Sequence, residues 1–286
     1  MANLNAIKNR IAVVSNTQKI TNAMQLVSTA KLRQIRKEYE NIESYLDLLM
    51  DTFDSLIKHV EPNEFYSIYP KNTEANSDLY VVITSDLGLC GSYNSNVINL
   101  LKQTLKPEDK IIVLGTKGYN LLQSSHFKEQ IINYFVDYGE KVSYQISNQI
   151  TKDALEMYAN KQINSINLVY TKFINNIRQD AVAQKLFPLE IGPKVKTVDK
   201  NVQIIEFEPN AEVVLKNSIP LYVGSLIYCL GSSSKVSEMA SRRNAMENAT
   251  NNAKDLIVDL RQKFNSERQS VITQEINEIV AGADAT

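Results

Sequence analysis

The sequence predicts an α/β domain placed between two long helices, and three observations lead to this fold class. From Asn3 to about Lys58 apolar residues recur three and four apart, and no glycine or proline interrupts them. Between Leu79 and Glu208 the pattern changes to short apolar runs rich in β-branched residues. After Pro220 no proline follows, and the helical spacing returns. Because neither terminal apolar stripe can stay exposed over its length, we expect the two helices to pair as an antiparallel coiled coil.

The first helix, assigned to residues 1–60, has a polar interruption and an uneven charge distribution. Five polar residues, Ser15–Lys19, follow Val14, although nothing in the sequence ends the helix there. Seven basic residues and no acidic one precede Glu38, and the rest of the helix is acidic. The expected inward stripe consists of Leu4, Ile7, Ile11, Val14, Ile20, Met24, Val27, Ile35, Ile42, Leu46, Leu49 and Phe53.

The middle segment, assigned to residues 75–209, is predicted to be a Rossmann-like α/β domain. The preceding stretch Glu61–Asn76 contains Pro62 and Pro70 and is predicted to be a linker. Short β-branched runs that alternate with helical patterns favour a largely parallel sheet. The predicted strands are 79–84, 110–115, 166–171 and an edge strand, 203–209, that ends at Pro209, and the predicted helices are 94–105 and 141–160.

The last segment, assigned to residues 210–286, is predicted to be the second long helix, with its main part at 221–280. Its apolar residues recur at steps of three, four and seven, which is typical of a helix that packs along a partner helix. The expected inward face consists of Met239, Met246, Ala249, Ala253, Leu256, Leu260, Phe264, Val271, Ile276 and Ile279.

Several kinds of site find no support in the sequence. Cys90 and Cys229 lie in no CxxC or Cys/His cluster, and His59 and His126 are isolated, so neither a disulfide framework nor a metal site is indicated. No nucleophile has a recognisable base partner. No run of about 18 apolar residues and no secretory leader is evident, so we expect other proteins to hold the chain at any membrane where it acts.

Two segments remain open to more than one interpretation. The loop TSDLGLCGSYN (84–94) follows a strand and precedes a helix, but it contains neither GxGxxG nor GxxxxGK[ST]. A tight turn is therefore favoured over a nucleotide site. The basic run KLRQIRK (31–37) fits a solvated helix face, a nucleic-acid patch or a surface that faces an acidic protein. It lacks the interleaved aromatic residues that stacking on nucleic acid needs.

Four stretches resemble one known family. They are NTQKITNAMQLVSTAKL (16–32), ITSDLGLCGSYN (83–94), AMENATNNAKDLI (245–257) and RQSVITQEINEIVAGADA (268–285). All four are similar to the gamma subunit, the central stalk, of F-type ATP synthases, and they occur in the same order along the whole chain. The resemblance implies a non-catalytic rotor shaft without a cofactor, turning inside a ring of three alpha and three beta subunits. Such a shaft would couple their nucleotide exchange to proton translocation.

The resemblance also implies partner contacts. Met24, Lys31, Arg33, Arg36 and Lys37 would face acidic loops of the beta subunits. The tip contacts with a beta-subunit catch loop would be Arg268, Gln269, Thr273 and Glu275. The foot, Phe207, Glu208 and Pro209, would meet an epsilon-type subunit and a membrane c-ring. The implied location is the cytoplasmic face of a bacterial membrane, and the chain's start within the shaft suggests a bacterial or processed protein.

Three residues depart from the family pattern. Leu87 replaces a basic residue, Ser92 replaces a glycine, and Arg243 stands where a shaft methionine is typical. The alternative is therefore the gamma-like shaft of a paralogous, head-only rotary ATPase with another output. Two other classes of protein could have this organisation: an α/β enzyme with helical arms, or a static coiled-coil tether. The enzyme lacks a site motif, and the tether leaves the polar interruption and the tip motif unexplained.

Overall fold

The structure is a computed structural model that describes residues 2–72, 74–139, 141–189, 207–208 and 210–284. The described chain contains six α-helices and five strands, together with a short 3-10 turn at Lys128–Gln130. In chain order the elements are α1 (Ala2–His59), α2 (Pro62–Ile68), β1 (Leu79–Ile83), α3 (Tyr93–Thr104), β2 (Lys110–Leu114), α4 (Thr116–Gln123), β3 (Ile131–Phe135), α5 (Tyr144–Ala159), β4 (Ile166–Phe173), β5 (Gln179–Phe187) and α6 (Ala211–Asp284). Two compact units are present, Met1–Ala30 with Arg242–Thr286 and Lys31–Ser241.

The larger unit, Lys31–Ser241, is built on a five-stranded sheet with the order β3-β2-β1-β4-β5. The four strands from β3 to β4 are parallel, and β5 is antiparallel to β4. Successive side chains of β1 alternate between two cores, as the pleat of a strand requires. Val81 packs in the core that includes α5 and α6, whereas Val82 packs in the core that includes α3 and α4. The α/β fold class is thus confirmed, with helices on both faces of a mostly parallel sheet.

The strands predicted from 79, 110 and 166 are present, but two others were missed. Strand β3, IINYF, is only half-buried, and β5 contains Asp180, Gln184 and Lys185, so neither shows a continuous apolar run. Both are edge strands among the described residues, and edge positions tolerate polar side chains. The strand predicted at 203–209 lies outside the described residues except for 207–208.

Two prolines lie within helices, and one of them corrects a prediction. The stretch 61–76 was expected to be a linker, but Pro62 begins the short helix α2, because proline is tolerated in the first helical turn. The last segment, assigned to residues 210–286, forms the single helix α6, which begins at Ala211 and contains Pro220, so the helix starts before the main part expected at 221–280. The neighbouring Ile219 and Tyr222 are buried in the core of the larger unit. This packing offsets the missing backbone hydrogen bond.

Helix α6 contains a window that is long and apolar enough to cross a membrane, although the sequence shows no run of about 18 apolar residues. A window of this helix has a mean hydropathy of 1.4, but 56% of the window is buried within the protein itself. A helix in the core of a soluble protein can have the same length and hydropathy, so this window is weak evidence for a membrane span. It is apolar because the helix passes through the core of the larger unit.

The two long helices pair in antiparallel fashion within the larger unit. Near the end of α1, Phe53 stacks on Tyr222 of α6, and the Tyr45 hydroxyl lies 3.4 Å from the Ser225 hydroxyl. Nearer its start, α1 packs against a later part of α6. That cluster contains Leu32, Ile35 and Tyr39 of α1 and Val236, Met239 and Ala240 of α6. Residue numbers rise along one helix as they fall along the other, so the antiparallel coiled coil is confirmed.

In the smaller unit the inward stripe differs from the prediction. Ile20 and Val27 are 61% and 56% exposed. The half-buried or buried positions of α1 recur three and four apart and are polar at Gln18, Thr21, Gln25 and Ser28. On α6, Leu256 and the isoleucines at 276 and 279 are exposed, whereas Ile257 is buried. Polar side chains therefore occupy several inward positions of the seam, and some apolar side chains face outward instead.

Candidate partner-binding surfaces

The basic segment Lys31–Lys37 projects mainly outward from α1. Leu32 and Ile35 of this segment are buried in the larger unit. Because an α-helix turns about 100° per residue, these anchors leave Arg33, Arg36 and Lys37 exposed, while Lys31 is half-buried. The Arg36 guanidinium lies 3.8 Å from the Glu40 carboxylate one turn later. Such an exposed pair leaves the charge available to a partner.

Glu38 ends the basic segment and connects α1 with the loop before α5. Its carboxylate forms an ion pair with Lys141. The hydrogen bond from Lys141 lowers the pKa of Glu38 below its ordinary value of 4.5. Met24, the remaining predicted contact of this surface, lies in the smaller unit, where it is half-buried.

The predicted tip residues lie at the end of the paired part of α6, with Arg268 and Gln269 just before its last seam position and Thr273 and Glu275 after it. The seam positions of this helix run from Met246 in steps of three and four, and the last partly buried one up to residue 280 is Val271. Arg268, Gln269, Thr273 and Glu275 are all exposed. The Thr273 hydroxyl donates a 2.8 Å hydrogen bond to the Gln269 carbonyl within the helix. The polar side chains of the tip are therefore accessible from outside the chain.

Exposed apolar side chains accompany both of these charged surfaces, and sequence reasoning placed several of them incorrectly. On the tip they are Ile272, Ile276, Ile279 and Val280, and on α1 they are Val13, Ile20, Leu26 and Val27. Aligning the sequence on the three-and-four spacing of Ile7, Ile11 and Val14 would have put the α1 set outside the seam. A row of exposed apolar residues along a helix is typical of a surface that another protein covers.

The predicted foot is described only in part. Phe207 is half-buried and packs against the core of the larger unit, and Glu208 is exposed. Pro209 lies outside the described residues. Phe207 thus has an internal packing role, and Glu208 is the described foot residue that is most available to a partner.

The loop after β1 forms a tight turn closed by its own polar groups. The Asn94 side chain accepts a hydrogen bond from the Ser85 backbone N–H (3.0 Å) and donates one to the Ser85 hydroxyl (2.7 Å). Leu89 and Gly91 have positive φ angles of 61° and 59°. Ser92 has a φ of −85°, so this position does not need a glycine. This geometry supports the turn interpretation.

The remaining candidate groups serve packing. The described residues contain no cluster of three or more histidine, cysteine or carboxylate side chains that could hold a metal. Cys90 and Cys229 are both buried, and burial raises the pKa of the Cys229 thiol to about 12. The His126 ring packs on the Phe127 ring at 3.9 Å. The open surfaces on the long helices are therefore the main candidates for function.

Two long, paired helices that carry exposed charged and apolar surfaces, joined to an α/β domain, define a shaft-like subunit of a larger assembly. The ATP synthase family profile matches residues 3–286. The ATP synthase gamma chain of Mycoplasmopsis synoviae is 50% identical over 291 residues and covers 100% of both chains. That of Mycoplasmopsis pulmonis is 42% identical over 283 residues, with 99% of each chain covered. The chain therefore belongs to the ATP synthase gamma chain family.

Solved structures agree with this assignment. The central stalk of Tetrahymena thermophila mitochondrial ATP synthase is 28% identical, with a TM-score of 0.63, 80% of this chain covered and 99% of that chain. The rotor of the Euglena gracilis mitochondrial enzyme shares the fold, with a TM-score of 0.72 at 17% identity over 95% and 99% of the two chains. Nothing in these comparisons favours the alternative of a head-only motor.

Proposed function

We propose that this chain is the central rotor shaft of an F-type ATP synthase and has no catalytic activity of its own. Segments 1–60 and 210–286 form the shaft, and segment 75–209 forms the α/β domain, which carries the foot at its end. Rotation of the shaft makes the nucleotide sites of the surrounding beta subunits differ, and this couples nucleotide exchange to proton translocation. The observation that carries the proposal is full-length similarity to gamma chains, combined with exposed apolar and basic side chains on the helices.

The smaller unit is suited to turning inside a ring of other subunits. Val13, Ile20, Leu26 and Val27 are each more than half exposed. This surface would be costly in water and is stabilised when a protein ring covers it. Apolar contact is non-directional, so it supports a shaft without holding it at one angle.

The basic segment complements an acidic partner. Arg33, Arg36 and Lys37 are exposed on one short stretch of α1. Charges at a surface that stays partly wet favour encounter with an acidic loop, but they do not fix one geometry. We assign this segment to contacts with acidic loops of the beta subunits, as the family resemblance implies. The tip residues Arg268 and Gln269 would contact a catch loop of a beta subunit. Their charge-assisted and amide hydrogen bonds depend on angle, so this contact would change as the shaft rotates.

The remaining partners are an epsilon-type subunit and a membrane c-ring at the foot. The Tetrahymena structure contains the central stalk together with a c-ring, which supports this assignment. The two gamma chains compared above come from bacteria of the genus Mycoplasmopsis, so the proposed location is the cytoplasmic face of the cell membrane, as a peripheral part of the complex. Glu208 is the described foot residue exposed to such partners.

The test is purification of the complex from its own organism with an affinity tag on the beta subunit. We expect this chain to co-purify with alpha and beta subunits, and a probe attached to the α/β domain should rotate when ATP is added. The isolated chain should give no saturable heat with MgATP in titration calorimetry. An ATP-hydrolysing complex whose probe never rotates would contradict the rotor assignment, and micromolar ATP binding that Gly91→Val abolishes would contradict the turn interpretation of residues 84–94.

A further inference from the structure

Strand β4 extends past its neighbour in the sheet. It runs from Ile166 to Phe173, but its paired register with β1 ends at Val169. On the other side, β5 pairs with β4 as far as Phe173. The backbone groups of β4 that face the β1 side after Val169 therefore need partners other than a strand.

Serine side chains of α6 supply these partners. The Thr171 backbone N–H donates to the Ser234 hydroxyl at 3.2 Å, and the Phe173 N–H donates to the Ser233 hydroxyl at 3.0 Å. The Ser237 hydroxyl lies 3.1 Å from the Thr171 carbonyl oxygen and 3.0 Å from a carbonyl of its own helix. All three serines are buried. The helix thus completes the edge of the strand in place of a neighbouring strand.

Further buried polar contacts surround this serine set. The Ser234 hydroxyl also lies 2.8 Å from the Tyr93 hydroxyl of α3. Lys235 and Glu238 form an ion pair of 2.9 Å, and each side chain is 3% exposed. The Lys235 ammonium lies 4.3 Å from the centre of the Tyr138 ring. Polar side chains of one α6 segment therefore contact three separate parts of the α/β domain.

These contacts fix the rotation of α6 about its own axis, which apolar packing alone does not. A helix held only by apolar side chains can turn or slide at modest cost, because that attraction is non-directional. A hydrogen bond weakens steeply when its angle departs from linearity. A slip of one residue turns a helix by about 100°, so all the serine contacts would be lost together.

We propose that Ser233, Ser234 and Ser237 form a register lock, which fixes the angle of α6 against β4 and passes torque between the shaft and the α/β domain. This proposal rests on the proposed rotor function for its mechanical role. The lock itself is a property of the larger unit, so it can be tested in the isolated chain as well.

The first experiment measures hydrogen exchange of individual amides by NMR in the isolated, full-length chain. Ser233→Ala should speed exchange of the Phe173 amide about tenfold or more, because this half-buried N–H loses its acceptor. Ser234→Ala should do the same at Thr171. Ser232→Ala is the matched control, because the Ser232 hydroxyl donates to the Tyr228 carbonyl within α6 itself. Unchanged exchange at both amides in the two test variants would overturn the lock.

The second experiment measures torque in the assembled head, with a probe attached through Glu108→Cys at an exposed site of the α/β domain. Alanine at Ser233, Ser234 and Ser237 together should leave ATP hydrolysis intact but reduce the torque delivered to the probe under viscous load. The Ser232→Ala head should match the parent. If the triple variant does not assemble, the Ser233→Ala and Ser234→Ala heads are measured instead, and each should deliver less torque than the control.

The two experiments separate the possible failures. Undiminished torque in the lock variants, with exchange accelerated as expected, would overturn the mechanical role of the lock. A parent head that hydrolyses ATP without turning its probe would contradict the rotor function, whereas the exchange result would still decide whether the serines fix α6 to β4.

Discussion

The Phe53 and Tyr222 rings stack face to face, with centroids 3.9 Å apart and planes only 11° from parallel. Each residue is 6% exposed, and both belong to the main core of the larger unit. The stack joins the end of α1 to the part of α6 that follows Pro220. Aromatic pairs of this kind contribute beyond the area that they bury.

Phe53→Ala should therefore be among the more destabilising substitutions in α1. The lost side chain and the cavity that it leaves should reduce the free energy of unfolding of the larger unit by about 3–5 kcal/mol. Leu48→Ala is the control on the same helix, because Leu48 is 66% exposed, and it should change stability by less than about 0.5 kcal/mol. Urea unfolding followed by circular dichroism measures both, and equal effects would contradict the core role of Phe53.

The polar seam of the smaller unit gives a prediction about coupling. The Thr21 and Thr250 hydroxyls lie 2.9 Å apart, and each also lies near a carbonyl of its own helix. Replacing both threonines with valine should be neutral or stabilising, whereas either single change leaves a hydroxyl facing a methyl group. A double-mutant cycle on thermal unfolding should show a coupling energy of about 0.5 kcal/mol or more. Strict additivity would show that the two hydroxyls do not interact.

Alkaline pH should destabilise the larger unit through its buried acids. Burial raises the pKa of the Cys229 thiol from 9.0 to about 12, and burial is also the main cause that raises the pKa of Tyr170 from 10.0 to about 12. A raised folded-state pKa means that the stability is fully present below the unfolded pKa. It is lost as pH rises through the folded value. Urea midpoints should therefore fall between pH 9.0 and about 12.

Cys229→Ala separates the thiol from the tyrosines in this alkaline loss. The variant should be less stable than the parent at neutral pH because of its cavity, but its stability should decline less steeply over the same pH window. Parallel declines in parent and variant would show that the thiol has no part in the effect.

The basic segment should act on partners and not on folding. Arg33→Glu with Arg36→Glu reverses two exposed charges and places a second carboxylate one turn before Glu40, which costs about 0.2–0.5 kcal/mol. Assembly or torque should weaken, most clearly at low salt, where like charges on an acidic partner repel over the longest distance. The control is Lys152→Glu on α5, also exposed. Rotation and ATPase activity unchanged at low salt would favour a plain solvated helix face.

The tip should influence kinetics more than stability. Arg268→Ala with Gln269→Ala removes exposed polar groups, so assembly should persist while the ATPase rate or the distribution of rotational dwells changes. Asn265→Ala, also exposed on α6, serves as the control. Removal of residues 271–286 should lower torque without abolishing rotation, because the basic segment remains. Dwell times and torque equal to the parent in both tip variants would show that these residues do not make the tip contacts that the family resemblance implies.

Local sequence pattern was sufficient for the long helices and for the buried parallel strands. Uninterrupted helical spacing predicted α1 to within a residue or two, and apolar β-branched runs predicted β1, β2 and β4. Such signals are local, because the spacing of apolar residues within one helix or one buried strand is enough to identify that element. The motifs at 16–32 and 268–285 indicated the family, which periodicity alone does not identify.

The facing of individual side chains, in contrast, depends on tertiary contacts. Ile20 was expected inside the helix pair and is exposed, because the seam of the smaller unit accepts Gln18 and Thr21 at the inward positions. In the larger unit Ser233 and Ser234 are buried, although serine is ordinarily a surface residue. Their hydroxyls are satisfied by a strand about 60 residues away along the chain, and no local pattern can encode such a partner. Residue pattern therefore sufficed for the elements and the family, whereas long-range hydrogen bonding and packing determined the inward faces.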